Sequence, residues 1–166
     1  MASGGGIRSN GADPVIAFNV ITGSTPTGLM LSYDDGGVVT NNVLDGNHDA
    51  GIYTFTVAGY GNPTTAILNN IVVDHAVGVH FTTDATLVQA FSNNDVWDNG
   101  TGYNLAMNPT VVWNGVDGII SADPLFTFST PRDYYLQPLS PCVGAGLTGN
   151  NVTTWTSTWG YTVTED

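Results

Sequence analysis

The chain repeats a short pattern in which a glycine is followed by an apolar residue and then by alternating polar and apolar positions. Its five copies begin at Gly6-Ile7, Gly28-Leu29, Gly51-Ile52, Gly78-Val79 and Gly102-Tyr103. Consecutive copies are 22 to 27 residues apart. Alternation with a period of two is typical of short strands and differs from the 3.6-residue period of a helix. The pattern therefore predicts a repeat protein built from strands.

An asparagine marks a second fixed position, at Asn19, Asn42, Asn70 and Asn94. The next glycine follows each asparagine after eight or nine positions, whereas 13 to 19 positions lead from a glycine to the next asparagine. The repeats thus differ in length mainly in the segment that leads from each glycine to the next asparagine. Asparagine tolerates the left-handed backbone conformation of a sharp bend, and stacked asparagines can bond to one another. We therefore predict an asparagine column at one corner and glycines, including Gly23, Gly46 and Gly100, at other corners.

Aligning the repeats produces three columns of apolar residues. The first contains Ile7, Leu29, Ile52, Val79 and Tyr103, the second Ile16, Val39, Ile67 and Phe91, and the third Ile21, Leu44, Val72 and Val96. A repeat of this length buries its apolar side only by stacking on its neighbours. An antiparallel sandwich would not explain three columns in one register. The predicted fold class is all-β: a parallel β-helix, or solenoid, of about five coils with a C-terminal closing segment.

The predicted domain organisation is a single β-helix over residues 1–146, with coils starting near the five glycines. In residues 147–166 apolar side chains interleave with threonine. This alternation predicts a C-terminal strand that packs on the flank or bottom of its own helix, or alternatively on a neighbouring subunit.

Charge and composition narrow the choice of partners. The chain has no lysine, two arginines and fourteen acidic residues, giving a formal net charge of −12. Such a field repels phosphate backbones, so nucleic acid is not expected as a partner. No run of 18 apolar residues occurs, so we expect no membrane insertion, and we expect no signal peptide within this chain. Cys142 is the only cysteine and is expected to be a small buried side chain.

Several stretches carry a resemblance to a known family. "GGGIRSNGADPVIAFNVITGS" and "NNVLDGN" resemble coils of right-handed parallel β-helix proteins of the pectate-lyase-like type. "SNNDVWDNGTGYN", "ISADPLF" and "RDYYLQPLSPCVGAG" are similar to the closing region of bacterial and archaeal cell-surface β-helix proteins. The resemblance covers residues 4 to 146 and implies the C-terminal region of an extracellular or cell-surface protein.

The same resemblance raises the question of catalysis. Lyases of this type use an arginine or lysine base together with calcium-binding carboxylates. Arg8 and Arg132 are the only such bases and lie far apart in the register, which disfavours lyase chemistry. No catalytic residue is assigned, although a glycoside hydrolase-like enzyme using Asp34, Asp35 or Asp84 as acid and base remains an alternative.

Four aspartates form a candidate calcium site. Asp13, Asp34, Asp35 and Asp84 fall near one corner and could bind calcium through carboxylate oxygens; a solvated acidic ridge is the alternative.

A zinc site is a weaker candidate. His48 and His75 follow the asparagine column beside Asp45, Asp49 and Asp74, but they occupy different register positions, and such residues are common in turns.

A flat aromatic face is the candidate ligand site. Outward positions of the strand after each glycine hold Met30, Tyr53, Phe55 and His80. Aromatic rings with polar neighbours suit stacking on sugar rings. The alternative is that residues 57–65 fold over the rings and cover them.

These observations favour a non-catalytic extracellular β-helix that acts as a structural or binding module, with polysaccharide or another protein as partner. A self-assembling subunit that stacks head to tail is a second candidate, because an open β edge recruits strands.

Overall fold

The chain winds through three parallel β-sheets. The computed structural model describes residues 5–32, 37–55, 65–82, 90–105, 118–127, 133–147, 155–156 and 162–163. Sheet A contains β1 (Gly5–Asn10), β4 (Thr27–Ser32), β7 (Ala50–Phe55), β10 (Val77–Phe81) and β13 (Thr101–Leu105). Sheet B contains β2 (Val15–Ala17), β5 (Val38–Thr40), β8 (Ala66–Leu68) and β11 (Ala90–Ser92). Sheet C contains β3 (Val20–Thr22), β6 (Val43–Asp45), β9 (Ile71–Val73) and β12 (Asp95–Trp97).

Each strand pairs with the equivalent strand of the next repeat, so the fold is the predicted parallel β-helix. The number of coils differs slightly from the prediction of five. Strands β1 to β12 make four complete coils, numbered 1 to 4 here, and β13 begins a fifth. In sheet C, Ile120 continues the stack through a parallel bridge to Asp95.

The three predicted apolar columns are confirmed as the core, with Ile7 packed against it and partly buried, whereas the side chain of Tyr103 lies outside the described part of the chain. Strand pairing aligns Ile7 with Leu29, Ile16 with Val39, and Ile21 with Leu44, and the later coils keep the same register. The side chains at the centre of the stack are fully buried: Leu29, Val39, Leu44, Ile52, Ile67, Val72 and Val79. Because this interior is shared between coils, each coil depends on its neighbours for burial.

The asparagine column is confirmed as a hydrogen-bonded ladder. Nδ2 of Asn19, Asn42 and Asn70 each donates to Oδ1 of the asparagine one coil further on, at 2.9 to 3.0 Å. The left-handed conformation, however, belongs to the preceding residue, since Phe18, Asn41, Asn69 and Asn93 have φ between 53° and 59°. The ladder residue itself donates to backbone carbonyls, as Asn42 does to those of Ile16 and Thr40.

At the next corner, the residue four positions after each ladder asparagine also has the left-handed backbone conformation. Gly23 and Gly46 take the left-handed conformation there, as predicted, but in coils 3 and 4 the position is held by Asp74 and Asp98 rather than by Gly100. Aspartate tolerates this conformation because its short polar side chain can bond locally.

A closing segment, residues 118–127 and 133–147, lies against sheet C. Phe126 and Leu136 form an antiparallel bridge, and Asn93 Nδ2 donates to the carbonyl of Ala145 at 2.9 Å. Beyond it, β14 (Trp155–Thr156) and β15 (Thr162–Val163) pair antiparallel, so the described part of the predicted C-terminal strand is two short strands.

Candidate functional site

The outer face of sheet A carries one continuous column of the predicted ligand residues. Strand pairing places Met30 beside Tyr53 and Tyr53 beside His80, on β4, β7 and β10. The Tyr53 and His80 rings meet edge to face, with centroids 4.9 Å apart and an interplanar angle of 81°. All three side chains are half-buried. The alignment of the repeats therefore predicted correctly that these three residues lie in one row across sheet A.

Phe55 extends this face along β7. It lies two residues after Tyr53, so both side chains leave the same side of the sheet, and it pairs with Ser32 of β4. Phe55 is half-buried, whereas Ser32 is buried. The alternative considered above is that residues 57–65 cover the rings. Of these residues only Thr65 lies in the described part of the chain, so this alternative is not tested. Met30, Tyr53, Phe55 and His80 are called the sheet A face below.

The charge state of the sheet A face is set by His80. Burial lowers the pKa of His80 below its usual value, so the ring is neutral at pH 7. A neutral imidazole both donates and accepts a hydrogen bond, as sugar hydroxyls do. Arg8, aligned with Met30, is the cation of this column.

The predicted calcium residues are not tested by the described structure. Asp13 is partly buried in the turn between β1 and β2, and Asp34, Asp35 and Asp84 lie outside the described residues. Within the described ranges, no group of three or more His, Cys, Asp or Glu residues is placed to hold a metal ion.

The two histidines of the zinc hypothesis have separate roles. His48 is exposed, and its Nδ1 lies 2.6 Å from Oδ1 of the neighbouring Asp49. His75 is buried, and both of its ring nitrogens are engaged by asparagines. A buried ring with both nitrogens bound offers no lone pair to zinc in this arrangement.

His75 belongs to a second ladder that the sequence analysis did not identify. The ladder runs through Ser24, Asn47, His75 and Asn99, five positions after each residue of the first ladder. Asn47 Nδ2 lies 2.9 Å from His75 Nε2, and His75 Nδ1 lies 3.0 Å from Asn99 Oδ1. The constant spacing from Asn19, Asn42, Asn70 and Asn94 could have revealed this ladder in the sequence. It was hard to recognise because serine, asparagine and histidine all occur at its positions.

A notch between sheet C and the closing segment was also missed. It encloses about 250 Å³ and is lined by Trp97 and Phe126, with Asp74, Asp98 and Asp123 among the surrounding residues. Asp74 and Asp98 occupy the same corner on consecutive coils, again at a constant offset that the sequence displays.

The closing segment buries two carboxylates of sheet C. Tyr134 donates its hydroxyl to Asp45 Oδ2 at 2.9 Å. Asp95 accepts from the Ala122 amide at 3.2 Å and from the Cys142 thiol at 3.0 Å. Burial raises the pKa of Asp95 and, with the neighbouring carboxylate, raises that of Cys142. Cys142 is therefore a half-buried, protonated thiol that ties the closing segment to β12.

In the part of the chain that the structure describes, no helix is long and apolar enough to cross a membrane.

Comparison with known proteins agrees with this architecture. The family model described as "Right handed beta helix region" matches residues 2–116. No curated protein and no solved structure gave a significant match to the chain.

Proposed function

Since the chain belongs to the right-handed β-helix family, we propose that it is a non-catalytic binding module that holds a polysaccharide on the sheet A face. Its place of action is the cell surface or the extracellular space, as the resemblance to surface β-helix proteins implies. The observation that carries the proposal is the row of Met30, Tyr53 and His80 on three consecutive strands.

The geometry of this row suits an extended sugar chain. Equivalent side chains on neighbouring strands are about 4.8 Å apart, which is close to the length of one sugar residue. Tyr53 and Phe55 offer apolar ring surface, while the Tyr53 hydroxyl and the neutral His80 ring offer hydrogen bonds. A chain lying across β4, β7 and β10 would meet one side chain from each coil.

Charge favours a neutral polysaccharide over an acidic one. The protein carries a formal net charge of −12 and has no lysine. Uronate or sulfate groups would meet a repulsive field at low ionic strength, whereas uncharged sugars would not.

Affinity electrophoresis in gels containing neutral or uronic acid polysaccharides tests the proposal. We expect retardation in at least one neutral gel and its loss in a Tyr53→Ala, His80→Ala double variant. Tyr135→Ala is the matched control, because Tyr135 is a 73% exposed tyrosine on the closing segment, away from sheet A. Equal retardation of the double variant and the wild type would overturn the assignment of the site.

A second candidate function, assembly with further copies, is favoured by the surface of coil 1. Among the described strands, β1, β2 and β3 are the outermost strands of their sheets. Val15, Phe18 and Val20 are exposed there by 39%, 64% and 54%. In coils 2 to 4 the position of Phe18 is asparagine, so the large apolar side chain is particular to this end. An edge strand beside exposed apolar side chains is a surface on which a strand from another chain can pair.

Light scattering across protein concentration, with and without calcium, tests assembly. Phe18→Asn places at this corner the residue that the other coils use, so the backbone conformation is retained. We expect concentration-dependent growth in the wild type and its reduction in this variant. Leu139→Ser, which alters an 88% exposed leucine of the closing segment, is the control. A wild-type protein that stays monomeric at all concentrations would rule out assembly.

A further inference from the structure

The second ladder contains a titratable link where the first ladder has only asparagines. Asn47, His75 and Asn99 follow β6, β9 and β12 and join coils 2, 3 and 4 at the corner between sheets C and A. His75 is only 4% exposed. Its bonds therefore form in an interior corner, where a lost hydrogen bond is not replaced by water.

The partners of His75 fix which nitrogen carries the proton. Asn47 Oδ1 accepts from the Ser24 amide at 3.0 Å and its Nδ2 donates to the Ile21 carbonyl, also at 3.0 Å, so the orientation of this amide is set by backbone groups. Nδ2 of Asn47 must then donate to Nε2 of His75. Nε2 of His75 therefore accepts this bond through its lone pair and carries no proton.

The other side of the ring is fixed in the same way. Asn99 Nδ2 donates to the carbonyls of Val72 and Trp97 at 2.9 Å, so its Oδ1 faces His75. Nδ1 of His75 donates to this oxygen at 3.0 Å. The neutral ring, protonated at Nδ1 only, satisfies both neighbours at once.

Adding a proton to His75 breaks this arrangement. An Nε2–H would point at the Asn47 amino group, so two donors would face each other 2.9 Å apart. Asn47 could turn its oxygen towards the ring only by giving up its bonds to Ser24 and Ile21. Either outcome leaves buried polar groups of coils 1 to 3 unpaired.

The charged groups that act on His75 are Asp45, at the end of β6, and Asp74, in the turn after β9. Both carboxylates favour a protonated ring, but burial outweighs them, and the pKa of His75 lies below its usual value of 6.5. Asn47 and Asn99, which bond to the ring, and the Gly51 backbone beside it are uncharged.

We propose that the corner formed by Asn47, His75 and Asn99 is an acid-sensitive joint, which holds coils 2 and 3 together while His75 is neutral and opens when the ring gains a proton. The first ladder, built from asparagines alone, stays closed over the same pH range. Acid would thus loosen one corner of the β-helix before the stack as a whole, at the turn that leads directly into β7 and its Tyr53.

The direction of the pH effect follows from proton linkage. The folded state binds the His75 proton more weakly than the unfolded state, so this contribution to stability is complete above pH 6.5 and is lost as the pH falls below that value. One proton changes the opening equilibrium by at most about tenfold per pH unit.

Hydrogen exchange of the full chain between pH 7.5 and pH 5 provides the test. The Ser24 amide reports the second ladder and the Asn19 amide, bonded at 3.0 Å to Asn42 Oδ1, reports the first. After correction for the intrinsic rate, protection of Ser24 should fall as the pH is lowered while that of Asn19 changes little. His75→Asn, which restores the residue of the neighbouring coils, should abolish the change, and His48→Asn should leave it intact.

A nuclear magnetic resonance titration of the histidine rings keeps the proposal testable even if the His75→Asn variant fails to fold. The wild-type ring should be the Nδ1–H tautomer at neutral pH, and its protonation should coincide with a shift of the Asn47 side-chain amide signals. A ring that titrates without any change at Asn47, or equal pH dependence in wild type and His75→Asn, would overturn the proposal.

Discussion

The backbone of Gly51 lies directly against the ring of His75 one coil further on. A Cβ atom at position 51 would be 3.0 Å from His75 Cε1, and at Gly28 and Gly78 it would meet the side chains of Asn47 and Asn99 just as closely. The glycine at the second position of β4, β7 and β10 and the second ladder therefore depend on each other. The side chains of Asn47, His75 and Asn99 occupy the space that a Cβ atom on these glycines would need.

Gly51→Ala should therefore destabilise the protein. The new methyl group would lie 2.5 Å from Val72 Cγ1 and 2.7 Å from the Gly78 carbonyl oxygen, and overpacking of this kind costs about 1–3 kcal/mol. Urea unfolding measures the loss. Gly102→Ala is the matched control, because no described atom lies within 4 Å of a Cβ there. Equal effects of the two substitutions would contradict the role given to the glycine column.

Asn70→Ala should cost more than the same change at the end of the first ladder. Asn70 Nδ2 donates to Val39, Leu68 and Asn94, and its Oδ1 accepts from Asn42, all in a fully buried setting. Leaving such groups unpaired costs about 1–3 kcal/mol for each group. Asn19, which is partly exposed in coil 1, is the comparison. Thermal unfolding that ranks Asn19→Ala as the more damaging change would show that the ladder is not what joins the coils.

Asp95→Asn should stabilise the protein more at pH 7 than at pH 4. Burial raises the folded-state pKa of Asp95 above its usual value of 3.8. The stability linked to its proton is thus present below pH 3.8 and lost as the pH rises through the folded-state pKa, leaving a buried charge at neutral pH. Asparagine keeps an oxygen for the Ala122 amide without that charge. Chemical denaturation at both pH values measures the change in the free energy of unfolding that Asp95→Asn causes. Stabilisation at pH 4 without stabilisation at pH 7 would contradict the prediction.

Much of the fold follows from the sequence because each repeat keeps constant spacing around its ladder asparagine, although the repeats differ in total length. The apolar columns and the first ladder recur at fixed offsets, and side chains in a strand alternate between two faces, so register alone places Met30, Tyr53 and His80 in one row. The second ladder was harder to predict, because His75 and Ser24 replace asparagine and conceal the repeat.

Other features could not be derived from local pattern. The closing segment contacts sheet C through Tyr134 and Cys142, which lie 89 and 47 residues away from their partners Asp45 and Asp95. No periodicity specifies which of three similar sheet faces such a segment will cover. Asp34, Asp35 and Asp84 belong to the segments that vary in length and lie outside the described residues, so the calcium site stays a prediction.

Chemical shift mapping with soluble neutral oligosaccharides tests the central claim most directly. The account predicts saturable changes concentrated on Met30, Tyr53, Phe55 and His80, with little change on sheet C or the closing segment and none with uronic acid oligomers at low salt. Changes centred on another face, such as the Trp97 notch, or stronger binding of the acidic oligomers, would contradict it.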